Sequence, residues 1–239
     1  MATYVERYRS GDYERVWSEL LALGGRVRQE PLLSEALVVA RETMMRARYN
    51  TEVLVQRLTD SGYTFTSPYH EDDPKECSPL ARPPIQVATY IAELERRVGP
   101  IPLSLYAWFE IGGGVSLIGS YPGWPADIRS DPLTVDPVEQ MLQITRPLTN
   151  ATGAPTKIPP FRLIIAPDYD QKADISGGTY DIAVPDEAID ARILGERHAR
   201  TFVDYLRTSF QWGGFPGLEW HKGSFEPDLA YLTKGLLPL

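Results

Sequence analysis

The sequence predicts an α+β fold, in which N-terminal helices are followed by a mostly antiparallel sheet packed with helices. Helical patterns dominate up to residue 111, and strand-like runs follow from residue 115 onward. Short turns separate these runs and leave no room for the crossovers that parallel strands need, so we expect antiparallel pairing.

Two helices are predicted within the first 60 residues. Residues 12–23 place apolar side chains on one face, and Gly24 and Gly25 are expected to end that helix. In the second helix, at 31–58, apolar or small residues recur in alternating steps of four and three, which is a heptad seam. The seam consists of Leu33, Leu37, Ala40, Met44, Ala47, Thr51, Leu54 and Leu58. We expect this seam to be buried, either against the chain's own domain or in a homodimer formed through the 31–58 helix.

Proline and charge then interrupt the helical pattern. The stretch "SPYHEDDPKECSPLARPP", residues 67–84, is predicted to be an irregular linker. The chain is thus expected to divide into an N-terminal helical region (1–66), the linker and an α+β domain (85–239).

The α+β domain is expected to begin with a helix whose apolar positions run from Val87 to Val98, with Pro84 near its first turn and Gly99 closing it. A second short helix is expected at about 103–111. Strand-like runs occur at 115–119, 133–135, 161–165 and 179–184, and a last amphipathic helix is predicted at 188–209.

Composition and charge restrict the class of protein. The hydrophobic content of 43% and charged content of 23% are typical of a soluble globular chain, and no apolar run is long enough to span a membrane. The N-terminus has no apolar stretch of the signal-peptide type, and Cys77 is the only cysteine. We therefore expect a cytoplasmic protein that does not associate with membranes.

The net charge of −8 is unevenly distributed. Residues 1–60 hold nine arginines and nine acidic residues, which leaves 15 basic and 23 acidic residues in the remainder. An acidic body disfavours nucleic acid and attracts a basic protein partner, although the same charge can also serve solubility alone.

Three consecutive glycines, Gly112 to Gly114, raise the question of a phosphate-binding loop. Such a loop leads into a helix whose amides face the anion. Here the glycines follow a helix and lead into the strand-like run "VSLIG", with no Lys-Ser or Lys-Thr pair behind them. They are predicted to end the helix and turn the chain.

Neither a catalytic constellation nor a metal site is predicted. His70 and Cys77 lie among acidic residues, but their spacing fits no zinc pattern. The segment "DYDQKAD" resembles a calcium loop but lacks its glycine and terminal glutamate, so we expect a hairpin turn. We expect no cofactor. The alternative is an enzyme whose site is assembled from scattered residues, namely Asp168, Asp170, Glu196 and His198.

Aromatic residues stand among glycines and prolines in two segments, "SYPGWP" and "FQWGGFPGLEW". Large aromatic side chains on rigid turns make good contacts for a partner when they are exposed. The candidate binding residues are Tyr121, Trp124, Trp212 and Phe215. The alternative is that these side chains cover the sheet as part of the core.

One segment resembles a known family. "VATYIAELERRVGPIPLSLYAWFEIGGGVSLIG", from Val87 to Gly119, is similar to the SUKH superfamily, also called SMI1/KNR4-like, in its helix, second helix and glycine-rich turn into strands. The matching positions are Leu94, Gly99, Pro102, Leu105, Phe109, Gly113 and Gly114. "RLIIAPDYDQ" and "TYDIAV" resemble the strand pair of that family, and the similarity covers about residues 85–210. The sequence departs from the pattern at Ile111-Gly112, where an asparagine commonly precedes the paired glycines.

This resemblance implies a SUKH-like domain without catalytic residues that acts by binding. Many bacterial members are immunity proteins that bind and neutralise a cognate toxin, often a nuclease or deaminase, and others are scaffolds. The resemblance therefore implies a protein partner, and the most specific partner that it implies is a basic toxin. An assembly subunit that uses the helical seam is a further alternative.

Overall fold

The computed structural model describes residues 2–66, 78–125, 128–146, 160–220 and 228–239. Within these ranges the chain forms α-helices and three small antiparallel sheets, with the first three helices leading, so the predicted α+β class is confirmed. The helices are α1 (Tyr4–Arg9), α2 (Tyr13–Ala22), α3 (Leu32–Asp60), α4 (Val87–Val98), α5 (Leu103–Ala107), α6 (Val138–Thr145), α7 (Phe202–Gln211) and α8 (Leu229–Thr233).

Each sheet is short and antiparallel. The strands are β1 (Thr64–Phe65), β2 (Leu80–Ala81), β3 (Gly114–Ser116), β4 (Gly119–Ser120), β5 (Thr134–Val135), β6 (Phe161–Pro167), β7 (Thr179–Val184) and β8 (Ile193–Leu194). They pair in the orders β1-β4, β2-β3-β5 and β6-β7-β8. The Asp136 backbone N–H donates to the carbonyl of Ile165 at 2.8 Å, which links the second sheet to the third.

The heptad seam of α3 is used within the chain. Met44, Leu54 and Leu58 are fully buried, as predicted, whereas Leu33 and Leu37 are only half-buried. The helix packs against α1, α5 and α8. Homodimerisation through α3 remains a prediction. The buried central residues of the seam are not exposed to a second copy of the chain.

The expected division into two regions is not visible as a break in the core. Buried residues before position 66 and after position 85 belong to one hydrophobic cluster. The Arg48 guanidinium in α3 donates to the carbonyl oxygens of Gly112, at 2.7 Å, and Ala81, at 3.3 Å. Of the expected linker, 67–77 lies outside the described residues, and Leu80–Ala81 forms strand β2 rather than irregular chain.

The glycine run turns the chain as predicted. After α5 the helix widens into a π-turn, Trp108–Gly112, in which the Gly113 N–H donates to the Trp108 carbonyl at 2.9 Å. Gly113 has a φ of 74°, and a Cβ there would lie 2.2 Å from the Ala81 carbonyl oxygen. Only glycine fits such a left-handed position against a neighbouring backbone.

The predicted helix at 188–209 is wrong over its first half. Residues Ile193–Leu194 pair with β7 as β8, and Gly195 then takes a φ of 86°, which no right-handed helix accommodates. Helix α7 begins only at Phe202, where the Thr201 side chain accepts from the Asp204 N–H. The apolar residues at helical spacing before it, such as Ile189, are buried in a loop instead.

None of the helices in the described ranges is both long enough and apolar enough to cross a bilayer.

Candidate functional site

Five aromatic rings gather where the β1-β4 ribbon meets the segment after α7. Tyr63 lies at their centre, with ring centroids 4.9 Å from Tyr121, 6.0 Å from Trp124, 5.1 Å from Phe65 and 5.4 Å from Phe215. Tyr121 and Trp124 also meet edge to face at 5.1 Å. We call these five residues the aromatic cluster.

The cluster has a buried floor and a half-exposed rim. Tyr63 is 4% exposed and Phe215 is 0% exposed, whereas Tyr121 and Trp124 are half-buried beside the exposed turn Pro122-Gly123. The expectation that Phe215 offers surface to a partner is therefore wrong. Gly213 and Gly214, with φ of 59° and 97°, turn the chain so that Phe215 enters the core.

Trp212 is not part of this arrangement. It follows α7 and is half-buried against the core. The ring contacts of the described residues join Tyr121, Trp124 and Phe215 with Tyr63 but do not include Trp212. Of the four predicted binding residues, the structure thus leaves two together at the surface.

Hydrogen bonds hold the rim in place. The Tyr121 hydroxyl lies 2.9 Å from the Ser61 hydroxyl, and the Tyr63 hydroxyl donates to the Leu117 carbonyl at 2.7 Å. Burial raises the pKa of Tyr121, and the phenol of Tyr231 adds a smaller contribution in the same direction. Tyr231, on α8, is 41% exposed and was missed in the sequence because that short helix was not predicted.

A second site, which we call the polar pocket, is a small depression of about 260 Å³, including the open solvent at its mouth. It is lined by Arg129, Asp131, Tyr169, Tyr180, Glu196, Arg197, His198, Arg200, Pro216, Gly217, Glu219 and Trp220. Planar and charged groups dominate this lining.

One wall of the polar pocket is a network of ion pairs. His198 Nε2 lies 2.6 Å from Glu219 Oε1, and Arg200 contacts Glu196 at 2.8 Å and Glu219 at 3.4 Å. Glu196 also accepts the backbone N–H groups of His198 and Arg200. The His198 ring is parallel to the Trp220 ring, with centroids 5.6 Å apart.

The floor of the polar pocket joins a buried polar group. Asp131 accepts from Lys172 Nζ at 2.6 Å and from the Tyr180 hydroxyl at 2.9 Å, and Lys172 also donates to the Tyr205 hydroxyl at 3.0 Å. Burial lowers the pKa of Lys172, and the neighbouring Asp131 carboxylate partly offsets that effect. Burial also raises the pKa of both tyrosines.

Two arginines and a tyrosine form the mouth. The Arg197 Cζ lies 3.5 Å from the centroid of the Tyr169 ring, and the Arg129 Cζ lies 5.9 Å from it. Arg129 also pairs with Asp170 at 2.6 Å.

Backbone conformations that are unusual for non-glycine residues occur in or near the polar pocket. Within the described ranges, the non-glycine residues with a left-handed φ are Asp131 at 50°, Asp174 at 57° and Ala199 at 51°. Asp131 lines the pocket, and Ala199 lies between two lining residues, His198 and Arg200. Asp174 ends the short 3₁₀ helix that carries Lys172.

The residues of the alternative enzyme site separate into two groups. Glu196 and His198 line the polar pocket. Asp170 pairs with Arg129 at its edge, and Asp168 accepts the N–H groups of Gln171 and Gly178. The segment around Asp168 connects the antiparallel strands β6 and β7, as the predicted hairpin requires, but it is a longer loop, 168–178, that contains a 3₁₀ helix rather than a tight turn.

No group of three or more His, Cys, Asp or Glu residues in the described ranges is arranged to hold a metal ion. The cluster around His70 and Cys77 lies outside those ranges.

Comparison with protein-family models, curated proteins and solved structures found no match to this chain. The SUKH resemblance therefore remains a prediction from the sequence.

Proposed function

We propose that this protein is a non-enzymatic binding module that contacts another protein through the exposed rim of the aromatic cluster. The observation that carries the proposal is the position of Tyr121 and Trp124, half-exposed and held edge to face above the buried Tyr63. Rings fixed in this way lose little side-chain entropy on binding, so more of their contact energy remains as affinity.

The partner in this proposal is a protein with a basic surface. The chain carries a net charge of −8, and residues 1–60 contribute none of it. Many acidic side chains in the described ranges are paired internally, as Glu93 is with Arg96 and Arg97. We therefore expect the acidic field of the whole body, rather than one acidic patch, to speed association.

The sharpest form of the proposal is a cytoplasmic bacterial immunity protein that binds and neutralises a cognate toxin. This form rests on the SUKH resemblance of residues 85–210, and a scaffold role is the other form that the resemblance offers. An assembly subunit using the α3 seam is less well supported, because Met44, Leu54 and Leu58 are already covered by the chain itself.

The test begins with the protein encoded beside this one in its genome. We expect coexpression to relieve the toxicity of that neighbour and the two purified proteins to form a stoichiometric complex. Trp124→Ala should weaken both effects. Trp220→Ala, which removes a 58% exposed tryptophan outside the aromatic cluster, is the matched control and should preserve them.

Two results would contradict the proposal. One is a turnover activity that is lost on substitution of His198. The other is a protein complex whose affinity is the same for the parent and for Trp124→Ala.

A further inference from the structure

Each carboxylate that lines the polar pocket already has a basic side chain of the protein within ion-pair distance. Asp131 is paired with Lys172, Glu196 with Arg200, and Glu219 with Arg200 and His198. A carboxylate with a cation at hydrogen-bond distance repels an incoming anion much less than an isolated one does. The acidic lining therefore leaves room for an anionic ligand.

Arg197 differs from the other arginines of the pocket. It is exposed, and the structure records its guanidinium against the Tyr169 ring at 3.5 Å; among the described residues no carboxylate forms an ion pair with it. Stacking uses the face of a guanidinium and leaves its N–H edge available for two parallel hydrogen bonds to an oxyanion. Arg129, which also lies near Tyr169, is the second cation of the mouth.

Some residues in and beside the polar pocket are held in conformations or environments that cost folding free energy. Lys172 is buried with Asp131, and a buried ion pair is often no more stable than an apolar replacement. The left-handed φ of Ala199, which lies between the lining residues His198 and Arg200, adds backbone strain beside the pocket. Such costs concentrate at functional sites, where the surrounding structure maintains a geometry that a ligand uses.

We propose that the polar pocket binds a small oxyanion, a carboxylate or a phosphate group, with Arg197 as its main ligand and Arg129 as the second. The site is separate from the aromatic cluster, although the two adjoin along the chain: Phe215 belongs to the cluster, and Pro216 and Gly217 line the pocket. The oxyanion site therefore does not depend on the proposed protein-binding function.

The small size of the pocket sets the class of ligand. The volume of about 260 Å³ counts open solvent, so the depression is shallow and does not enclose a ligand. The ligand is accordingly a small anion, or the charged end of a larger molecule whose remainder stays in solvent.

The experiment measures binding of inorganic phosphate and of acetate to the full chain by calorimetry and by NMR, with ionic strength held constant by chloride. We expect saturable binding of at least one of the two anions, with amide shifts confined to residues 196–200 and 129–131. Arg197→Gln should weaken that binding about tenfold or more, because a charge-assisted pair is lost.

Arg192→Gln is the matched control. It removes the same charge from an exposed arginine that does not line the pocket, and it should change the affinity less than twofold, because this solvent-screened charge makes no contact with the anion. A stronger response to phosphate indicates a phosphoryl group as the natural ligand, and a stronger response to acetate indicates a carboxylate. Absence of saturable binding of either anion, or equal weakening in both variants, would overturn the proposal.

Discussion

Lys172 donates a hydrogen bond to Asp131 across 2.6 Å, and its side chain is fully excluded from solvent. The two residues are 41 positions apart, and Asp131 has a left-handed φ of 50°. Tyr180 and Tyr205 complete the polar partners of the pair, so that neither charge is left without a hydrogen bond.

Breaking this pair should destabilise the fold strongly. Lys172→Met leaves the Asp131 carboxylate buried beside an apolar side chain, and we expect a loss of about 3–5 kcal/mol in the free energy of unfolding, measured with urea. Arg129→Met, which breaks the half-exposed pair with Asp170, should cost less than about 1 kcal/mol.

A second substitution separates charge from packing in this experiment. Adding Asp131→Asn to Lys172→Met removes the unpaired charge, and asparagine tolerates the left-handed φ. The double variant should recover part of the lost stability. Equal stability of the single and double variants would show that the buried charge is not the cause.

The buried carboxylate of Asp190 should make stability depend on pH. It accepts from the Ser104 hydroxyl at 2.7 Å and from the N–H groups of Ala191 and Val203, and burial raises its pKa from 3.8 to about 6. Between these two values the folded chain holds a proton that the unfolded chain has released. The contribution to stability is therefore complete below pH 3.8 and is lost as the pH rises through 6.

Asp190→Asn removes this titration and provides the comparison. The stability of the parent relative to the variant should fall by up to about 3 kcal/mol between pH 4 and pH 7, measured by urea unfolding at each pH. A difference between the two proteins that stays constant over this range would contradict the raised pKa.

The glycine turn can be tested by comparing two glycines with positive φ. At Gly113, with a φ of 74°, an added Cβ meets the Ala81 carbonyl oxygen, whereas at Gly62, with a φ of 83°, it meets nothing within 4 Å. Gly62→Ala should cost about 1 kcal/mol from backbone conformation alone. Gly113→Ala should lower the free energy of unfolding clearly more, because β2 must also move. Equal costs would mean that the close approach to β2 is absent, and a rise in melting temperature on adding nucleotide would contradict the turn's structural role.

The buried seam of α3 predicts a contrast on one helix. Leu54 is fully buried, and Leu54→Asp places an unpaired charge in the core, so the variant should fail to fold cooperatively. Met45, on the same helix, is 52% exposed, and Met45→Asp should leave the melting temperature nearly unchanged. Both variants are measured by light scattering and thermal melting. A Leu54→Asp protein that behaves like its parent would show that the seam is not a packing surface.

Sequence reasoning predicted the elements whose periodicity is long and regular. Helix α4 and strand β7 lie where the apolar pattern places them, and α3 differs from its prediction by one residue at its start and two at its end. The start of α7 was wrong because Ile189 and Ile193 have helical spacing but are buried by a loop and by β8. The spacing of apolar residues alone does not distinguish a helix from a buried loop or strand, since the sheet that β8 joins is formed with residues distant in the sequence.

The candidate sites were predictable only in part. Tyr121 and Trp124 were identified because a proline- and glycine-rich turn carries them. Phe215 has the same kind of neighbours, but the left-handed φ of Gly214 directs it inward. The polar pocket was largely missed, because the fold brings Asp131 and Lys172 together from different segments and neither has a local motif.

The most direct test of the central claim is the kinetics of complex formation with the identified protein partner, measured for the parent, Trp124→Ala and Trp220→Ala. We expect Trp124→Ala to raise the dissociation rate about 30-fold, equivalent to about 2 kcal/mol, while its association rate stays close to that of the parent and it still unfolds cooperatively. For all three proteins the association rate should fall as salt rises. Dissociation rates that are equal for Trp124→Ala and the parent, or an association rate independent of salt, would contradict binding by an acidic protein through the aromatic cluster.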